Sequence, residues 1–198
     1  FGDFTKQLLN LIDELNINKI HLVGFSLGSL ISRHFASEHS DRLNSLVLHG
    51  SIYKRSREQK RVVENRYELI KMDNSASRIS SLRRWFTESY IKNNKKVHDK
   101  IYSMLEDNNH QNFLKAYKLF VCYEDEDQML VNINTNTLVT TGQYDVGSTA
   151  DMAKKLTEKI KVAKYIEIKN GKHLCHIECA EDFNKTIELF IDQNYDEA

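Results

Sequence analysis

The sequence predicts an α/β fold: a mostly parallel sheet whose strand–helix alternation is interrupted once by a long helical insertion. Three observations carry this. Ile20-His21-Leu22-Val23 is a short apolar run that ends in Gly24-Phe25-Ser26-Leu27-Gly28 and opens directly into a helical pattern. A second apolar run, Leu43-Asn44-Ser45-Leu46-Val47-Leu48-His49, follows that helix, and strand–helix–strand with nearly continuous apolar strands is the mark of a parallel sheet. The segment 51–128 then breaks the alternation with charged, helix-periodic sequence before strands resume. The expected organisation is a core of residues 1–50 and 129–198 with an inserted helical unit at 51–128.

Each element has its own warrant. Phe4, Leu8, Leu11, Ile12 and Leu15 fall at helical spacing, and Asn16 to Asn18 end that helix. Residues 19–24 form the first strand. Residues 27–38 form a helix with Leu27, Leu30, Ile31 and Phe35 on its inner face, and residues 43–49 form the second strand, closed by Gly50. Four helices are expected in the insertion, at 57–72, 75–90, 95–107 and 109–123. Strands follow at 137–141 and 164–168, with helices at 149–160 and 181–194.

Composition narrows the class. The 198 residues suffice for one domain with a real core; 40% are hydrophobic and the formal net charge is +0, as in an ordinary globular protein. No apolar run is long enough to cross a membrane. Cysteines are few and odd in number (Cys122, Cys175, Cys179), and no secretory leader pattern is visible, so a reducing, cytoplasmic setting is expected. Charge is uneven: residues 51–100 hold 14 Lys and Arg against 6 Asp and Glu, whereas the rest of the chain holds 14 against 22. A basic insertion in an acidic body reads either as a solvated helical face or as a lid that attracts anionic substrates. Nucleic acid is not expected, because the basic residues are not interleaved with stacking aromatics on strands.

The chemistry begins at Ser26. A serine flanked at two residues on each side by glycine, between strand and helix, fits the G-x-S-x-G nucleophile elbow. The turn is sharp and strained, so the residues two before and two after Ser26 are expected to crowd one another and to need hydrogen in place of Cβ. It also places the Leu27 amide at a helix N-terminus, where a developing oxyanion is stabilised. A serine nucleophile needs a base, and the base an orienting carboxylate. Asp145 follows one later strand and His173 the next, which gives the order serine, acid, histidine at the carboxyl ends of strands.

Competing residues have simpler readings. Asp151 suits the first turn of a helix, His176 local packing, and His21 and His34 structural positions. Glu178 suits either a carboxylate that holds the His173 loop by accepting backbone hydrogen bonds or a plain helix-start carboxylate. His173, Cys175, His176 and Cys179 have zinc-ligand chemistry, but their spacing matches no paired C-x-x-C knuckle, so no metal is expected. No base is apparent for Cys175 as a nucleophile.

Taken together, these motifs resemble the α/β-hydrolase superfamily over the whole chain. Gly24-Phe25-Ser26-Leu27-Gly28 resembles its nucleophile motif and Gly142-Gln143-Tyr144-Asp145 its acid turn. Residues 170–178 resemble its N-x-G-H-x-x-x-x-E histidine loop, with Lys172 where glycine is usual. Ser40, Asn136, Ala150 and Ala180 stand where relatives often have proline. Arg84-Trp85-Phe86-Thr87, with its spacing from Arg66 and the 123–127 region, is similar to 3-oxoadipate enol-lactonases. The resemblance implies a Ser26–His173–Asp145 serine hydrolase that needs no metal or organic cofactor. Its substrate would be an anionic ester or lactone, with Trp85 either lining the pocket or packing between cap helices, and a cap arginine, Arg84, meeting a carboxylate. Family members also carry strands and an H-G loop ahead of the first helix seen here; the loop supplies a second oxyanion amide, and its absence from this sequence implies a weak catalyst. Two other readings share these residues: C–C bond or thioester hydrolysis, and a hydrolase-like binder of a small anion.

Overall fold

The computed structural model describes residues 1–72 and 75–194. The chain runs α1 (Gly2–Glu14), β1 (Ile20–Phe25), α2 (Leu27–Glu38), a 3-10 turn (Ser40–Arg42) and β2 (Leu43–His49). Helices follow: α3 (Arg57–Met72), α4 (Ser75–Trp85), α5 (Glu88–Asn93), α6 (Lys95–Glu106), α7 (His110–Val121) and α8 (Asp127–Val131). The alternation then returns with β3 (Thr137–Gly142), α9 (Ala150–Thr157), β4 (Ala163–Ile168), the single-turn α10 (Cys175–Glu178) and α11 (Ala180–Asp192).

The four strands are all parallel, in the order β1-β2-β3-β4. Their register aligns the carboxyl ends: Phe25 pairs with His49, His49 with Thr140, and Gly142 with Ile168. The ladder continues past the strand ends, with Ser26 N donating to His49 O at 2.9 Å and Gly50 N to Thr140 O at 2.9 Å. Turns after β1, β3 and β4 therefore emerge on one edge of the sheet.

The period-2 alternation of the strands divides the core. Leu46, Leu48 and Val139 face one side, where α2 and α9 cover them with Leu30, Phe35, Met152 and Leu156. Val47 and Leu138 face the other, against Ile187 and Phe190 of α11. Burying each such side chain contributes about 1.5–3 kcal/mol, so both sheet faces are committed to helix packing.

The expected elements need three corrections. The helix read over 75–90 is two helices. It breaks at Phe86, which is buried, and Thr87, whose backbone is extended (φ −70°, ψ 154°) and whose hydroxyl caps α5 by accepting the Tyr90 N–H. A β-branched cap residue that can bond its own backbone stops one helix and starts the next. Second, α8 straddles the residue expected to end the insertion, and its Met129 and Leu130 are buried with α2 in the sheet core. Third, Cys175–Glu178 is a helical turn where no element was expected.

Candidate active site

Ser26 sits at φ 52°, ψ −116°, a conformation disfavoured for a side chain bearing Cβ. The tightness of the turn explains the glycine at position 24. A Cβ there would stand 2.6 Å from Gly28 O and 2.8 Å from Ser29 Cα. Gly28 differs from expectation, since a Cβ on it would meet nothing within 4 Å. The crowding is one-sided: the α2 backbone presses on the strand, and the Gly28 Cα itself points into open space. Leu27 begins α2, so its N–H belongs to the first turn, whose amides have no intrahelical acceptor.

Asp145 lies in the turn after β3 and His173 in the loop after β4. Gly142 brings those two turns into contact, for a Cβ there would lie 2.1 Å from Lys172 O. Asp145 Oδ2 is 2.6 Å from His173 Nδ1, and His173 Nε2 is 3.2 Å from Ser26 Oγ. Since a carboxylate only accepts, Nδ1 carries the proton and Nε2 presents its lone pair to the serine hydroxyl. Asp145 Oδ1 accepts the Gly147 and Ser148 amides at 2.8 and 3.0 Å. Burial pushes its pKa up, but the hydrogen bond and charge of His173 and these two amides outweigh burial and hold it below the ordinary carboxylate value.

These three residues open into a cavity of about 570 Å³ under the helices between β2 and β3. Its wall is mostly apolar, with Ile52, Val63, Trp85, Phe113 and Phe120 among the lining residues. Four arginines also line it: Arg55, Arg66, Arg78 and Arg84. Two are engaged elsewhere, Arg55 with the carbonyls of Phe120, Val121 and Tyr123, and Arg78 facing Glu106 at 3.7 Å. Arg84 donates to Ser81 Oγ at 2.9 Å, its Nε is buried without a partner, and it has no ion pair with a described residue. Burial, and then the neighbouring Arg66, bring its pKa down to about 10. The cavity thus brings two guanidinium groups, Arg84 and Arg66, close enough to repel each other.

The other candidates are placed away from this opening. Asp151 pairs with Lys155 at 2.8 Å on the surface of α9. His21 Nδ1 shares a hydrogen bond with Ser45 Oγ at 2.7 Å, and His34 stacks on Phe1 with ring centroids 4.6 Å apart. His176 Nδ1 lies 3.2 Å from His49 Nε2, behind Phe25, and burial drives its pKa down to about 4. Cys175 is buried, which pushes its thiol pKa up, away from thiolate. Among the described residues no group of three or more His, Cys, Asp and Glu is arranged to hold a metal ion. Nor is any helix long and apolar enough to cross a membrane.

His49, Arg55 and Arg78 were not among the candidates. For Arg78 a signal existed: Arg78, Ser81 and Trp85 recur at helical spacing in α4 and all line the cavity, so an arginine on the same stripe as Trp85 was readable as cavity-facing.

Known proteins match this architecture. The sequence profile described as alpha/beta hydrolase fold matches residues 1–180, so the chain belongs to that family. It is 27% identical over 194 residues to (E)-2-((N-methylformamido)methylene)succinate hydrolase of Acinetobacter baylyi, covering 96% of this chain and 72% of that protein. It is 25% identical over 187 residues to 3-oxoadipate enol-lactonase 1 of the same organism, covering 94% and 69%. Among solved structures, the enol-lactonase of Burkholderia xenovorans superimposes with a TM-score of 0.85 at 24% identity, over 95% of this chain and 71% of the other. A thermophilic esterase from Thermogutta terrifontis does so at 0.84 and 23%, over 97% and 72%.

Proposed function

We propose that this hydrolase cleaves a carboxylic ester or lactone that carries a second, free carboxylate. The observation that supports the reading best is the Ser26–His173–Asp145 chain of hydrogen bonds opening into a cavity that also holds Arg84, which has no ion pair with a described residue, beside Arg66. His173 Nε2 takes the Ser26 proton as Oγ attacks the ester carbonyl. Asp145 holds the ring in the required tautomer and stabilises the imidazolium. The Leu27 N–H, at the positive end of α2, meets the oxyanion. The imidazolium protonates the leaving oxygen, and water activated by the same nitrogen then releases the acyl group from Ser26. The remote carboxylate sits against Arg84, with Trp85 beside the chain that joins it to the reacting carbonyl. Two curated relatives are named for a succinate derivative and for an oxoadipate enol-lactone, which fits an acidic substrate. The setting we propose is cytoplasmic, with no cofactor.

Labelling by a fluorophosphonate tests the nucleophile. Wild type should be labelled at Ser26 and Ser26→Ala should not, with ester hydrolysis lost in parallel. A folded chain that resists the probe would be a binder of small anions instead.

A further inference from the structure

His173 and Arg84 are framed by the same set of hydrogen bonds. Lys172, just before His173, donates its Nζ to Arg83 O at 2.8 Å; Leu174, just after it, donates its N–H to Trp85 O at 3.0 Å. The residues on either side of the imidazole therefore grip the carbonyls on either side of the guanidinium, across about 90 residues of sequence. Glu178 closes the frame. Its Oε1 accepts the Thr87 N–H at 2.9 Å and the Thr87 hydroxyl, and its Oε2 accepts Lys172 N at 3.0 Å. Tyr90 OH adds a longer bond to Ile177 O at 3.4 Å. Beneath these bonds Leu82, Phe86 and Leu174 form a buried apolar cluster, with Trp85, Tyr90 and Ile177 against it.

We propose that Glu178 is a positioning residue that fastens the α4–α5 turn to the His173 loop, so that the carboxylate-reading end of the cavity and the imidazole move as one body. The proposal rests on the reading of His173 as the base for Ser26. Its physical content is a carboxylate that serves two segments at once. Either segment can be solvated without it, but only Glu178 satisfies the amides of both in one geometry. Lys172 gives the loop a second tie, because a glycine there would have no amine to reach Arg83 O. The frame matters because a displacement of the base by about 1 Å can cost roughly 10²-fold in rate.

The test uses near-isosteric variants. Glu178→Gln sets an NH2 group against donors in either orientation, since Thr87 and Lys172 both donate. Thr87→Val removes the hydroxyl, and Thr87→Ser keeps it. The expected result is a Ser26 fluorophosphonate labelling rate, and a kcat, reduced roughly 10- to 100-fold in Glu178→Gln. The loss in Thr87→Val is smaller, Thr87→Ser is near wild type, and KM changes far less than kcat. Amide hydrogen exchange should quicken at Thr87 and Leu174 together. Wild-type labelling in both Glu178→Gln and Thr87→Val would overturn the proposal, as would exchange that quickens in the His173 loop while the α4–α5 turn stays protected. His173→Asn separates the two readings. If it abolishes labelling while the Glu178 and Thr87 variants label normally, the base stands and the frame falls. If it too labels normally, the base reading fails and the proposal with it.

Discussion

Asp145 divides its two carboxylate oxygens between His173 and the turn it sits in. Oδ2 meets Nδ1 at 2.6 Å, and Oδ1 takes the amides of Gly147 and Ser148. The turn thus fixes the carboxylate before the histidine does. Asp145→Asn should keep the two backbone bonds through its carbonyl oxygen while turning an NH2 toward Nδ1. That forces the proton to Nε2, the wrong tautomer for receiving one from Ser26. By the precedent of serine-protease triads, kcat should fall about 10³- to 10⁴-fold with little change in KM. Steady-state hydrolysis of an activated ester measures it. A loss under tenfold would remove Asp145 from the mechanism.

Arg84 gives a specificity prediction. It shares its region of the cavity with Arg66 and forms no ion pair with a described residue. Arg84→Met keeps the length and the apolar stem but removes the charge. A charge-assisted hydrogen bond contributes about 1.5–3 kcal/mol. kcat/KM for a carboxylate-bearing ester should therefore drop roughly 10- to 100-fold, while that for its neutral amide or methyl-ester counterpart stays within about threefold. Equal losses on both substrates would mean that Arg84 packs and does not read charge.

Much of this arrangement was legible in the chain because it depends on local rules. Strand 43–49 and helix 27–38 were read to the residue, since apolar periodicity and the glycine turn set both boundaries. Ser26, Asp145 and His173 followed from their places after strands, and the parallel register brings those places to one edge. What escaped depends on distant partners. Arg33 reads as the polar side of α2, yet it is fully buried, donating to Ile52 O at 3.0 Å and to Asp125 at 2.9 Å, 92 residues away. Phe86 and Thr87 read as helix interior, yet the helix breaks there, where Thr87 caps α5 and donates its amide to Glu178, 91 residues away. Such couplings leave no periodicity in sequence.

The two elbow glycines should behave differently when substituted. Gly24→Ala drives a methyl group into the Gly28 carbonyl and the Ser29 Cα, backbone atoms that cannot rotate aside. Overpacking of this kind costs about 1–3 kcal/mol and should also displace Ser26. Gly28→Ala meets open space and adds a better helix former to the first turn of α2. It should be neutral or stabilising, within about 1 kcal/mol. Urea unfolding of both variants, with the Ser26 labelling rate as a second readout, checks the asymmetry; equal damage would contradict the one-sided crowding.

His49 makes stability depend on acid. It is buried beneath the site, 3.2 Å from His176 Nδ1 and 3.7 Å from Cys175 Sγ, with Phe25 and Phe183 rings against it. Burial, then the neighbouring His176 and His173, lower its pKa to about 3, outweighing a bond to the Thr140 backbone and the charge of Asp145, which act to raise it. Unfolded, it titrates near 6.5. Above pH 6.5 both states hold it neutral and it adds no pH dependence. Below 6.5 the unfolded chain binds a proton that the folded protein refuses, so stability falls from pH 6.5 toward about 3. His176, lowered to about 4, acts in the same direction. Each histidine contributes a slope of at most about 1.4 kcal/mol per pH unit. His49→Gln should unfold at a lower urea midpoint at pH 7, having lost its packing, but with a shallower decline between pH 6.5 and 4.5. An unchanged slope would show that His49 takes up its proton in the folded protein as readily as in the unfolded chain.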